Sequence, residues 1–239
     1  WRDKVTVVTK AGYLEPLAES QGRDGLGVDF PERVDTGYGF FHCIHPTFLK
    51  AALERSLARM KVERVGVFLL HNPGYFLTAA AGGKGSTGAK DATDGVTDGG
   101  ETRREFRRRL EEAFVFLEDR VRAGVLGGYG VSSNHLGQSS TNPEAVTVEE
   151  LQDIAQGIST DHAFSTIQCP LNLLERLPTL PVGTDGRSTL QHARGSGLVV
   201  LTNRPLNAWR GMQVQLRDGR ARDTRAELFL DALRRALDA

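Results

Sequence analysis

Five short apolar runs along the chain each stop at side chains able to donate hydrogen bonds. Val5-Thr6-Val7-Val8-Thr9 stops at Lys10, and Val65 to Leu70 stops at His71, followed by Asn72 and Pro73. Tyr129 to Ser132 ends in Ser132-Ser133-Asn134, Phe164 to Gln168 ends on Gln168, and Leu198 to Thr202 runs into Asn203-Arg204-Pro205. The set is a cation, an imidazole and several amide or hydroxyl donors. Such a set suits polarising a carbonyl and holding a polar ligand. It lacks an evident proton donor of suitable acidity. Taken singly, each residue has an ordinary reading: a solvated lysine, a satisfied structural histidine, a Ser-Ser-Asn turn or cap. Their repeated placement at strand ends carries the functional reading.

Other chemistries leave no trace. No Gly-x-Gly-x-x-Gly follows a strand, so a Rossmann dinucleotide site is not indicated. Neither the phosphate-loop pattern nor a Gly-x-Ser-x-Gly nucleophile elbow occurs. Cys43 and Cys169 are too few for a disulfide framework and read as reduced thiols of an intracellular protein.

The elements that must position these side chains alternate. Each apolar run reads as a strand, and amphipathic helices lie between them. Pro46 fits a first helical position, and Leu49, Leu53, Leu57 and Met60 form one stripe. Glu101 to Arg122 places Phe106, Leu110, Phe114, Leu117 and Val121 on one face, with arginines and acids interleaved over a solvated surface. Val148 to Ile158 and a segment around Leu190 read as helices, and Leu228, Leu230, Leu233 and Leu237 stripe a last one. Residues 11–44 read as loop. Residues 77–100 hold seven of the 27 glycines and read as a flexible, Gly-rich loop insertion. Five strands each followed by a helix predict an α/β protein with a parallel sheet covered on both faces, open or closed into a barrel. In a barrel, the five strand ends converge on one mouth.

Composition agrees with a globular domain. Of 239 residues, 30 are basic and 30 acidic, giving a net charge of zero, and 39% are hydrophobic. A disordered chain has fewer apolar residues and more net charge. There is no basic excess for a nucleic-acid backbone. No apolar stretch approaches the ~18 residues of a membrane span.

At these same residues the sequence resembles the aldo-keto reductase superfamily. "VTVVTK" (5–10) resembles the family strand that carries the catalytic lysine. "LERSLARMKVERVGVFLLHNP" (53–73) resembles the helix and strand ending in the catalytic histidine, and "LEDRVRAGVLGGYGVSSN" (117–134) the helix and strand ending in Ser-Asn. "TIQCPLNLLE" (166–175) is similar to the following Gln strand, and "GLVVLTNRPLNAW" (197–209) to the strand leading into Pro-Leu. The five matches fall in order and in register.

The resemblance implies a (β/α)8 TIM barrel of the aldo-keto reductase type, incomplete here with about five β/α units, forming a single domain over 1–239. It implies an oxidoreductase that interconverts an aldehyde or ketone with an alcohol or sugar, using NADP(H) or, less often, NAD(H). The partners expected are a small-molecule carbonyl or sugar substrate, with no nucleic acid and no membrane, in the cytoplasm. By position, Lys10 and His71 resemble the family's catalytic lysine and histidine. Ser132, Ser133, Asn134 and Gln168 resemble the residues bonding the nicotinamide carboxamide, and Asn203, Arg204, Pro205 and Leu206 fall in the cofactor-binding segment after the next strand. Many members stack an aromatic on nicotinamide at the Asn203 position, which Asn203 cannot do. The family's catalytic Asp and Tyr belong to a strand before the lysine strand, so they are expected upstream of Trp1, and the last family strand, which would follow the final helix, is expected to be missing from this chain. Tyr13 follows Lys10, on the other side from the family tyrosine, and is given no role. The alternative reading is a catalytically silent barrel that binds the cofactor as a regulatory or interaction subunit.

Overall fold

The computed structural model describes residues 4–14, 29–36, 40–82, 99–181, 183 and 185–205, and the strands at 207–210 and 213–216. Five parallel strands form one sheet in the order β1-β5-β6-β7-β8: β1 (Val8–Ala11), β5 (Val65–His71), β6 (Leu126–Ser132), β7 (Phe164–Pro170) and β8 (Val199–Asn203). The chain crosses over in one direction, each strand joining the next position. Among the described residues the sheet is open, and Val8 on β1 and Val199 on β8 are exposed at its two edges.

Helices return the chain between strands. Pro46–Met60 (α1) begins where the His45 ring accepts the Thr47 N–H and Pro46 occupies the first turn. It ends where Lys61 turns left-handed at φ 54°. Its buried stripe is Phe48, Leu49, Ala52 and Leu53, two adjacent pairs four residues apart, which fall on one helical face. Tyr75–Ala80 (α2) and Gly99–Arg122 (α3) follow β5. The 77–100 segment is therefore helical at both ends, while its residues 83–98 lie outside the described residues. Phe106, Leu110, Ala113, Phe114 and Leu117 of α3 are fully buried against the sheet, with Phe114 stacked on Phe164. Val148–Ile158 (α4) is capped by Thr147, and Thr189–Gly195 (α5) opens with a capping box between Ser188 and Gln191. The expected helix at 228–237 lies outside the described residues.

The loop expected over 11–44 is corrected. It carries a small antiparallel sheet of β2 (Tyr13–Leu14), β4 (Phe41–His42) and β3 (Val34–Asp35), in that order. Two-residue strands leave no alternation for a sequence pattern to show. What fixes them is packing: Leu14 and Cys43 are 1% exposed within the main core. After β8 the chain makes an antiparallel pair, β9 (Asn207–Arg210) with β10 (Gln213–Leu216).

Candidate active site

Strand register assembles the site. Lys10 pairs with Leu69 across β1 and β5, and His71 with Ser132 and Ser132 with Gln168 across β5, β6 and β7. Side chains two residues apart on a strand share a face. His71 is two beyond Leu69, so Lys10, His71, Ser132 and Gln168 project from one face at the carboxyl ends of four adjacent strands. Asn203 joins them, two beyond the Leu201 that pairs with Gln168. The other face, with Leu70, Val131 and Ile167, is buried in the helix-covered core.

The geometry within this row is specific. Lys10 Nζ donates to Gln168 Oε1 at 2.9 Å and lies 3.5 Å from Ser132 Oγ. Ser132 Oγ also donates to Gln168 Oε1, at 2.9 Å. An ammonium only donates, so the amide of Gln168 is oriented with its oxygen towards Lys10. Its NH2 then faces away and donates to nothing among the described residues. Burial and the nearby Arg204 charge both pull the Lys10 pKa below its ordinary value. Burial, Lys10 and His42 together push the His71 pKa down to about 3, so its ring is neutral across the physiological range.

The two serines separate. Ser132 lies in the row, whereas Ser133 Oγ accepts the His135 N–H at 3.0 Å in a turn and its own N–H donates to the Gln168 carbonyl at 2.9 Å. Asn134 is exposed; its Oδ1 accepts from Arg204 at 2.6 Å. Arg204 turns left-handed at φ 59° and pairs with Glu175 at 3.0 Å. Asn203 Oδ1 is buried without a hydrogen-bond partner among the described residues. Pro205 is exposed in the following turn, and Leu206 lies outside the described residues.

Three further residues belong here that sequence reasoning passed over. Asn72, 3% exposed and left-handed at φ 52°, donates its backbone N–H to the Ser132 carbonyl at 2.6 Å and accepts the Asn134 N–H on Oδ1 at 2.8 Å. Its amide NH2 therefore points the other way, onto the Tyr13 hydroxyl. The Tyr13 ring stands edge-on to the His71 ring, centroids 4.5 Å apart. His42, opposite Tyr13 in the small sheet, donates Nε2–H to the His71 carbonyl at 2.6 Å. Gly12 makes this close approach sterically feasible, because a Cβ there would sit 2.3 Å from the His71 carbonyl oxygen. The sequence signals were Asn72 directly after the strand ending at His71 and the Gly12-Tyr13 pair just beyond Lys10. Beside the row, a cleft of about 180 Å3 between β1 and α1 is lined by Lys10, Tyr13, His71, Ala52 and Arg55.

A neutral imidazole, a cation and a set of fixed amides at the ends of parallel strands can hold a carbonyl oxygen and stabilise charge on it. Among the described residues no cluster of His, Cys, Asp and Glu is arranged to hold a metal, and no helix is long and apolar enough to cross a membrane.

Comparison with known proteins places the chain. No curated protein matches it. Among solved structures, the glycerol dehydrogenase of Gluconobacter oxydans is 22% identical, with 83% of this chain and 40% of that one covered at a TM-score of 0.46. Aldose reductase from Giardia lamblia is 15% identical over 90% of this chain and 50% of that one, TM-score 0.46. An aldo-keto reductase from Bacillus halodurans is 14% identical over 96% and 54%, TM-score 0.45. The chain thus spans about half or less of the length of these structures. The model of the aldo/keto reductase family matches residues 1–177, three quarters of the sequence and every strand end from Lys10 to Gln168, and the chain belongs to that family.

Proposed function

We propose that this chain serves a cytoplasmic, NADP(H)-dependent oxidoreductase that interconverts a small-molecule carbonyl with an alcohol or sugar. The observation that carries the reading is the single row of Lys10, His71, Ser132 and Gln168 at adjacent strand ends.

The residues present fit a nicotinamide carboxamide. That group both donates and accepts. The outward NH2 of Gln168 is a donor in want of an acceptor, and the orphaned Asn203 Oδ1 is a buried acceptor in want of a donor. Gln168, Asn203 and Ser132 would hold it, with Asn134, Arg204 and the 205–206 turn beyond them. When bound, the reduced nicotinamide supplies the hydride.

The chain's own groups handle the substrate oxygen. His71, neutral with its pKa pushed down to about 3, offers an N–H to orient the carbonyl and does not act as an acid near pH 7. The Lys10 ammonium, held by Gln168 Oε1 and Ser132 Oγ, places positive charge beside an oxygen that becomes alkoxide-like. It also favours the ionised form of any phenol brought next to it. Lys10→Met and His71→Ala should each lower NADPH-dependent carbonyl reduction by about 100-fold or more, with an unchanged far-UV circular dichroism spectrum. Near-normal turnover in both variants would refute the assignment.

A further inference from the structure

The Tyr13 hydroxyl has its hydrogen-bonding role fixed from behind. Asn72 can turn its amide in only one sense, because its Oδ1 takes the Asn134 backbone N–H at 2.8 Å. The NH2 must therefore face Tyr13, and the phenol oxygen must accept. The phenol proton is left over, and it meets no acceptor among the described residues. The ring is locked as well. It stands edge-on to His71 at 4.5 Å and to Phe40 at 5.1 Å, on a strand paired with His42. Yet 37% of the residue is open to solvent, and it lines the same cleft as Lys10 and His71. A buried asparagine with both ends committed thus aims one neutral O–H donor beside a neutral imidazole.

We propose that Tyr13 is a specificity-determining residue whose hydroxyl donates to a second oxygen of the substrate, on the carbon next to the carbonyl that His71 orients. The proposal rests on the oxidoreductase reading above. Two neutral donors side by side match a hydroxycarbonyl or dicarbonyl compound. They match a simple aldehyde less well, since it leaves the Tyr13 proton without an acceptor. No proton transfer by Tyr13 is involved. Asn72 is the positioning residue behind it.

The test compares glyceraldehyde with propanal, two three-carbon aldehydes that differ only in the hydroxyls on carbons 2 and 3, using NADPH and the intact protein. The wild type should prefer glyceraldehyde in kcat/KM by about tenfold, the scale of one well-placed hydrogen bond. Tyr13→Phe keeps the ring and removes the donor. It should raise KM for glyceraldehyde by about tenfold with kcat little changed, and leave propanal within about twofold. Equal losses on both aldehydes would make Tyr13 merely structural and overturn the proposal. A wild type without preference would overturn it whatever the variant does. Absence of NADPH or NADH oxidation with either aldehyde is a separate outcome; it overturns the oxidoreductase reading itself and the proposal with it.

Discussion

Acid should loosen this protein through His42, by an amount that can be worked out. The residue is 2% exposed and gives its Nε2–H to the His71 carbonyl at 2.6 Å. Burial drives its pKa from 6.5 to about 4, and the bond to the carbonyl, which favours the protonated ring, offsets only part of that. In the unfolded chain the ring titrates near its ordinary value. Between pH 6.5 and about 4 the unfolded state therefore binds a proton that the folded state refuses, and stability falls with pH. Each pH unit in that window costs about 1.4 kcal/mol, so the contribution lost at pH 5 is about 2 kcal/mol. Above about pH 7 nothing is lost. Against a typical stability of about 5–15 kcal/mol this is a large fraction. The measurement is urea unfolding, followed by circular dichroism at pH 7.5 and pH 5.0, on the wild type and His42→Gln. Glutamine keeps an N–H donor and removes the titration. Burial also depresses His71 and His135; those groups titrate in both proteins, so the difference between the two reports His42 together with its charge effect on His71. Equal acid sensitivity in the two proteins would refute the argument.

Two substitutions probe how the site is held. Gly12→Ala pushes a methyl to 2.3 Å from the His71 carbonyl oxygen and 2.8 Å from His42 Nε2; it should destabilise by about 2–4 kcal/mol through overpacking and loss of the buried hydrogen bond, and a urea midpoint within error of the wild type would contradict this. Glu118→Ala removes a 3%-exposed carboxylate that accepts the Ala163 N–H at 2.7 Å at the entry to β7; a loss of about 1–3 kcal/mol in thermal or urea unfolding is expected.

The strands that end at the site were legible because each is a short apolar run that stops at a polar side chain, even where, as in the edge strands β1 and β8, no residue is fully buried. The observed bounds differ from the sequence reading by a few residues at most, as with β6, which starts at Leu126 rather than Tyr129. The α3 stripe was legible for the same reason, with Phe106, Leu110, Phe114 and Leu117 all buried. The small sheet was not. Its strands are two residues long and owe their form to contacts with β5 and the core, which local pattern does not encode. Tyr13 was passed over because only chain order was visible. Sequence order puts it after Lys10, while the fold turns it back over His71 through the contact at Gly12. Ser132 and Ser133 were indistinguishable as neighbours of one type. The two-residue period of the strand separates them, sending Ser132 to Gln168 and Ser133 into a turn.

Asn72 explains why the site can be precise although its members come from separate crossovers. Its backbone N–H ties the end of β5 to the Ser132 carbonyl at the end of β6, and its Oδ1 holds the Asn134 N–H of the next loop. Its NH2 holds Tyr13 of the small sheet. Three segments thus meet at one buried asparagine. The left-handed backbone at φ 52° is a conformation that asparagine tolerates better than most residues. An aspartate there would keep the Oδ1 contact and lose the donor to Tyr13. A leucine would lose both and take away the side-chain acceptor of the Asn134 N–H. The residue after His71 is therefore constrained by hydrogen-bond direction at both ends of its side chain, and by its left-handed backbone.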